Sequence, residues 1–453
     1  FATSNTAGGT VLITAALGRH GASSEIQVAL QGRIVVGEVR PDEVAEFDAP
    51  GDVVRGDPNS PVIIYPSHET LFPRNLHRVR FEWAAGRDAV LYQLRFTGPN
   101  VVVSVVTRDT NFQFSREQWA WLADSNAGST VQWEVRSVRG GDQDPVVYGS
   151  DSIDVGFSRS RVEGALYYWS TEDEAILKAR VEDPAPTRFY PTEEQGTCGA
   201  CHTVSRDGRR LALGWDGENL AEVGVPGTEE IIAPGRWGMG WSTFSPSGEE
   251  LLVADDGILR LLDSDTGDPI GANEGVVSLP DDVKANMPDW APGGDWIAVA
   301  YGGERVRNKE VQGSSLAIIP VSEGEFGTPV VLVASLDDED DTYAFPSFSP
   351  DGRYIAYAHM DGKSKDANTA VLEIVSVEGG NPVSLGRMNH RVNNTDDVLD
   401  LGNNMPTWAP STQPGIFWLA FSSLRAYATV RAQDDREDQL WIAGVDTAAL
   451  TGE

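Results

Sequence analysis

The chain has 453 residues, 40% of them hydrophobic, with 13 Trp, 15 Phe and 11 Tyr, which is enough apolar mass for several cores and so for two or three domains. A formal net charge of −33 argues against a nucleic-acid partner, because tracking a polyanion demands a basic footprint. The longest apolar runs, such as Val101 to Thr107, fall far short of the roughly 20 residues a membrane-spanning helix needs, and no signal-peptide pattern precedes them.

The sequence starts at Phe1 rather than Met, as expected of a processed or trimmed chain. Residues 1–60 alternate as strands, with "GTVLITAAL" from Gly9 and "EIQVALQGRIVVGEV" from Glu25 separated by Gly and Ser, and are expected to form a small immunoglobulin-like β unit. Residues 61–157 carry "RVRFEWAAGRDAVLYQLRF" from Arg78 and "STVQWEVRSV" from Ser129. Trp83 and Trp133 fall on alternating strands there, and "WAWL" begins at Trp119 between them. This region resembles a fibronectin type III sandwich, in which tryptophans fill the space between two sheets. Such domains are expected to act as spacers or docking surfaces. His68 and His77 lie near its strand edges and are read as structural.

Repeats organise residues 158–453. "SFSPDGRYIAYA" from Ser347 has relatives in "TVSRDGRRLALG" from Thr203, "TFSPSGEELLVA" from Thr243, "DWAPGGDWIAVA" from Asp289 and "TWAPSTQPGIFWLAFSS" from Thr407. Anchored at Ser205, Ser245, Ala291, Ser349 and Ala409, they are spaced by 40, 46, 58 and 60 residues. Each unit reads as an apolar strand, a turn of Pro, Asp or Ser, and Gly, then further strands, which is the pattern of a propeller blade. Upstream, "ALYYWST" from Ala165, "AILKARV" from Ala175 and "TRFYPTEE" from Thr187 supply one more blade. The fold class expected is all-β, N-terminal sandwich domains followed by a C-terminal propeller of six blades, with five or seven as alternatives. The "FSPDG" turns resemble the WD-like repeats of TolB-like propellers, a likeness that covers most of the chain after residue 160. That resemblance implies a fold and leaves the activity open.

Both cysteines of the chain fall within five residues, in Cys198, Gly199, Ala200, Cys201, His202. Cys-X-X-Cys-His is the attachment pattern of c-type haem: two thiols add to the vinyl groups as thioethers and the adjacent imidazole becomes the proximal iron ligand. A redox dithiol pair lacks its βαβ setting here, a zinc site lacks a second ligand pair, and a plain short-loop disulfide leaves the histidine without a role. "YYWST" followed by this motif is also similar to a group of exported bacterial propellers carrying one c-type haem motif.

Aligning "CGACHTVSRDG" with "YAFPSFSPDG" sets Cys201 against Phe345 and places the motif where an innermost strand begins, on the face that also carries the loops between second and third strands. Three such loops are long, from Tyr301, His359 and Ser423, and are expected to wall the ring. The same alignment sets Met287 and Met405 against Cys201 and Phe345, so these are the distal-ligand candidates, with Met239, Met360, His359 and His390 in reserve. Calcium is compatible with the acidic runs from Leu336, Leu279 and Asn393, although none has a calcium-loop spacing. No His-Glu-X-X-His motif and no nucleophile elbow is present.

The expected function is a periplasmic or extracellular monohaem c-type cytochrome transferring single electrons, with Cys198, Cys201 and His202 holding the haem. The expected partner is a redox protein, basic if soluble, and the N-terminal domains are expected to attach the chain to a larger surface complex. The alternatives are a peroxidase-like haem enzyme with an open sixth iron position and a cell-surface binding or assembly module.

Overall fold

The computed structural model describes residues 7–48, 51–140, 146–190, 201–214, 221–226, 228, 230–233, 235–336, 341–365, 368–389, 401–410, 415–425 and 438–451. Strands dominate it, and by contact it divides into two compact units, one of residues 1–162 with 426–435 and one of residues 163–425 with 436–453.

In the first unit, the three-stranded sheet of Asn111–Gln113, Arg80–Ala84 and Val62–Tyr65 shares a core with a larger sheet centred on Val101–Thr107, Ala89–Gly98 and Ser129–Arg139. Alternation dictates that core: Phe81 and Trp83 from the small sheet, and Phe96 and Trp133 from the large one, are all at most 2% exposed. Phe81 meets the edge of Trp133 at 5.1 Å between ring centres, while Phe96 stacks on it at 6.0 Å. The helix Arg116–Ala123 is capped by Ser115, whose Oγ accepts from the Gln118 amide at 3.2 Å, and it buries Trp119 in the same core. The boundary expected at residue 60 does not separate two sheets. Leu30–Val35 runs parallel to Val101–Thr107 and Val54–Arg55 parallel to Tyr148–Gly149, so both segments extend the larger sheet. Gly9–Leu17 and His20–Val28 form a separate antiparallel hairpin.

The second unit consists of six successive antiparallel meanders among the described residues. Blade 1 is Leu166–Ser170, Ala175–Ala179 and Thr187–Tyr190; blade 2 is Cys201–Val204, Leu211–Gly214, Ala221–Gly224 and Ile231–Ala233. Blade 3 is Trp241–Phe244, Glu250–Asp255 and Ile258–Asp263; blade 4 is Ala285–Trp290, Trp296–Tyr301, Ser315–Ser322 and Val330–Val333. Blade 5 is Asp341–Phe348, Tyr354–Asp361, Val371–Ser376 and Val383–Ser384; blade 6 is Asn404–Trp408, Ile416–Ser423 and Gln439–Asp446. From blade 2 onward the first strand of each blade packs on the first strand of the next, and an apolar cluster fills each blade interface from blades 1 and 2 through blades 5 and 6. This is a propeller.

The repeat anchors explain the turns. Ser205, Ser245 and Ser349 each accept, through Oγ, the amide five residues on, from Arg210 at 2.9 Å, Glu250 at 3.1 Å and Tyr354 at 3.0 Å. Gly208, Gly248 and Gly352, three residues after the anchor, adopt φ between 70° and 78°, where a side chain is disfavoured.

Two residues before the anchor, a side-chain oxygen reaches the next blade. Thr243 Oγ1 accepts from the Trp290 amide at 3.1 Å, Asp289 Oδ2 from Phe348 at 2.6 Å and Ser347 Oγ from Trp408 at 3.4 Å. Inner strands have no ladder partner on their channel edge, so these clasps satisfy amides that the sheet itself leaves open.

Candidate functional site

The motif falls partly outside the described residues: Cys198, Gly199 and Ala200 lie among residues 191–200, whereas Cys201 and His202 open the inner strand of blade 2. Cys201 pairs with Gly214, His202 with Leu213, Thr203 with Ala212 and Val204 with Leu211. Directly paired residues share a sheet face and successive residues alternate, so Cys201 and Thr203 lie on one face and His202 and Val204 on the other. The apolar clusters identify the faces. Cys201, 5% exposed, joins Ala212, Met239, Phe244 and Val253 at the interface with blade 3. Leu211, Leu213 and Val204 pack with Ile176 and Phe189 of blade 1, and on this side His202 Nε2 lies 3.4 Å from the Tyr167 carbonyl oxygen.

Two thiols and an imidazole in this spacing fit haem c by the chemistry of the donor set. The strand geometry fits only one donor at a time, because thioether and imidazole must converge on one ring while the sheet holds them on opposite faces. Attachment therefore requires the first two rungs of this strand, Cys201–Gly214 and His202–Leu213, to open.

Gly214 fixes how closely blades 2 and 3 approach at this point. A Cβ built there would stand 2.6 Å from the Met239 carbonyl oxygen, a backbone atom with little room to move. Gly214→Ala is expected to lower stability by about 1–3 kcal/mol, the usual cost of overpacking, and chemical denaturation measures it.

Four residues before each anchor stand Cys201, Trp241, Met287, Phe345 and Met405. Those of blades 4, 5 and 6 precede a proline and take φ of 52°, 53° and 51°, with the ladder register slipping at each. Asn286 Oδ1 accepts the Met287 amide at 2.8 Å, and Asn404 Oδ1 the Met405 amide at 3.0 Å, so the bulges keep those amides satisfied. Cys201 and Trp241 sit in regular ladder instead. Met287 and Phe345 share one apolar cluster, and Trp241 meets Phe345 edge-on at 5.2 Å although blade 4 lies between their strands in sequence. Cys201 belongs to a different cluster.

Two of the long loops cover this ring. Val311, from the loop of blade 4, packs in the Met287–Phe345 cluster and exchanges hydrogen bonds with Ser364 from the loop of blade 5, at 2.9 and 3.0 Å. Asn286 Nδ2 donates to the Asn308 carbonyl at 3.0 Å and Asn404 Nδ2 to the Ser364 carbonyl at 2.9 Å, tying both loops to inner strands. The central part of the third loop, residues 426–437, lies outside the described residues.

The distal-ligand candidates divide accordingly. Met287 and Met360 are 3% and 2% exposed within the covered ring, Met239 is fully buried beside Cys201, and Met405 is 42% exposed. His359 has both ring nitrogens engaged, Nε2 with Asp341 Oδ1 at 2.9 Å and Nδ1 with Glu373 Oε1 at 3.4 Å, and it stacks on Tyr343 at 4.5 Å. The bond to Glu373, reinforced by Asp341, raises its pKa against the opposing effect of burial, so it favours the protonated form that cannot ligate iron. His390 lies outside the described residues. Among the described residues, no group of three or more acidic, histidine or cysteine side chains is disposed to hold a metal ion.

Trp241 and the Val311–Ser364 contact on this face, and the Asp289 clasp between blades 4 and 5, were not anticipated from the sequence. Trp241 was within reach, since it stands four residues before Ser245 as Met287 does before Ala291. Asp289 was hidden by its small hydroxyl counterparts at the same repeat position, Thr243 and Ser347.

No protein-family model and no curated protein matches the sequence. Among solved structures, dihydro-heme d1 dehydrogenase NirN in complex with DHE aligns with a TM-score of 0.36 and 15% identity, over 62% of this chain and 51% of that one. The chain thus spans about half the length of that protein. The Cps50 (Swd1) β-propeller domain of Myceliophteria thermophila aligns at 0.31 and 12%, over 54% of this chain and 70% of that one. An oligogalacturonate lyase of Vibrio parahaemolyticus aligns at 0.33 and 11%, over 60% and 84%. The fold assignment rests on the six meanders of the chain itself.

Proposed function

We propose that this chain is an exported propeller carrying one covalently attached haem c and exchanging single electrons with a protein partner. One observation supports this reading: the chain's two cysteines are confined to Cys198 and Cys201, with His202 directly after, at the start of a blade's innermost strand. When bound, the group supplies one-electron iron chemistry. Cys198 and Cys201 would hold the ring, and His202 would be the proximal ligand. Met405, 42% exposed, would be open to a distal-ligand role, whereas Met287 would first have to leave the cluster beneath its loops. Met239, Phe244 and Val253 keep water from the Cys201 side. A charge of −33 suits a basic redox partner. No helix among the described residues is long and apolar enough to cross a membrane, and the first unit is the proposed docking region.

The test is production with a c-type maturation system. Denatured protein should retain its Soret absorbance, and Cys198→Ser with Cys201→Ser should abolish it. Hydrogen exchange at residues 201, 202, 213 and 214 should be faster in the haem-loaded protein than in the unloaded one, as the two rungs open. Colour fully removed by acid-acetone, or haem content unchanged in the double variant, overturns the reading. The placement of Cys201 and His202 on opposite faces favours one alternative, a binding or assembly module without haem, and a colourless mature protein decides for it.

A further inference from the structure

The first strand of blade 1, Leu166–Ser170, does not behave as an inner strand. In blades 2 to 5 the inner strand runs into a turn closed by Gly208, Gly248, Gly294 or Gly352, at φ between 70° and 82°, and packs on the inner strand of the next blade. Leu166–Ser170 has neither feature. Its turn contains no glycine and is closed by side chains, Ser170 Oγ donating to Asp173 Oδ2 at 2.7 Å and accepting the Asp173 amide at 3.2 Å. Nor does it pack on Cys201–Val204 as the later inner strands pack on one another. It corresponds to the second strands instead, so among the described residues blade 1 has no strand in the innermost position.

Burial registers the difference. The second strands of blades 2 to 5 each bury four successive residues, 211–214, 251–254, 297–300 and 355–358, whereas every residue of Leu166–Ser170 is only half-buried. An uncovered inner edge leaves backbone groups that a ladder would otherwise satisfy.

Three features of this place bear on what fills it. His202 lies on the blade 1 side of its strand, with Nε2 3.4 Å from the Tyr167 carbonyl oxygen, so the imidazole already borders it. Tyr167 and Trp169 alternate onto that same side, where they pack with Leu211, Leu213 and Val204 and form an aromatic wall. Over the Tyr167 ring, 5.5 Å from its centre, stands the Lys178 ammonium. It has no carboxylate partner among the described residues, in a chain of charge −33. A flat apolar ring with carboxylates on its edge answers imidazole, aromatic wall and ammonium together.

We propose that the haem lies in the innermost position of blade 1, between His202 and the Tyr167–Trp169 wall, with a propionate on Lys178. The inference rests on the haem reading above and adds where the ring is held. Hydroxyl-radical labelling, read by peptide mass spectrometry, compares the full chain matured with haem and the full chain made without maturation. Tyr167 and Trp169 should lose their labelling on loading, while Trp296 of blade 4, also half-buried, keeps its own. Lys178→Ala should lower the reduction potential of the attached haem at low ionic strength, because a nearby cation disfavours the more positive oxidised iron, and Lys178→Arg should restore it. Coloured protein whose Tyr167 and Trp169 label as in the colourless form, or whose potential ignores Lys178→Ala, overturns the placement and leaves the haem reading standing. A mature protein without covalent colour overturns both.

Discussion

Phe345→Ala is expected to lower the stability of the propeller by about 3–5 kcal/mol, the range for removing a buried aromatic side chain without compensating collapse. Phe345 is 6% exposed, meets Trp241 of blade 3, and shares its cluster with Met287, Met360 and Val311. The cavity cannot close easily, because the backbone there is committed to φ 53° ahead of Pro346 and the covering loop is tied down through Ser364. Denaturant unfolding followed by tryptophan fluorescence reads both consequences, the lower midpoint and a red-shifted native emission as Trp241 gains water. A loss below about 1 kcal/mol would mean that Phe345 does not hold the ring together.

The second large effect is a dependence on pH set by Asp289. Removal from solvent pushes its carboxyl from the ordinary 3.8 up to about 6, and this outweighs the Phe348 amide, the Arg206 guanidinium and the Trp290 amide, which pull it down. A folded-state pKa above the unfolded value means that the native protein binds more protons between about pH 4 and 6. The stabilisation is therefore complete below pH 4 and is lost as pH rises through 6. It amounts to at most about 3 kcal/mol, less where water reaches the half-buried group. Asp289→Asn keeps a carbonyl oxygen for the Phe348 amide and carries no proton to lose. The difference in unfolding free energy between variant and wild type should accordingly shift toward the variant by about 1–3 kcal/mol from pH 4 to pH 7. A flat difference across that range would show that Asp289 titrates normally.

The repeats carried the propeller plainly, since anchor, glycine and apolar strand recur in sequence and each becomes a turn between the first two strands of a blade. Residues 1–60 were harder. Alternation in "LQGRIV" identifies a strand, yet nothing local says that Leu30–Val35 runs parallel to Val101–Thr107, some seventy residues on. At the candidate site the donor set was legible and its orientation was not. Alignment put Cys201 level with Phe345, but only the bulge before Pro346 turns the latter toward the ring, and Cys201 has His202 where that proline stands. Proline, visible in the sequence, was the physical signal separating the bulged strands from the regular ones.

The order of the blade interfaces bears on how the molecule is assembled. The apolar interfaces from blades 1 and 2 to blades 4 and 5 join stretches of chain that follow one another directly, and the cluster of blades 5 and 6 adds Met287, Ala300 and Val311 of blade 4, which precede it in the chain. A polypeptide emerging from its N-terminal side can complete these interfaces one at a time, every new blade landing on a surface already finished. The clasps from Thr243, Asp289 and Ser347 point the same way, each offering its oxygen to an amide that arrives later. Loop-closure entropy is then lost in small instalments, so vectorial synthesis or translocation suits this topology better than collapse of the whole chain at once.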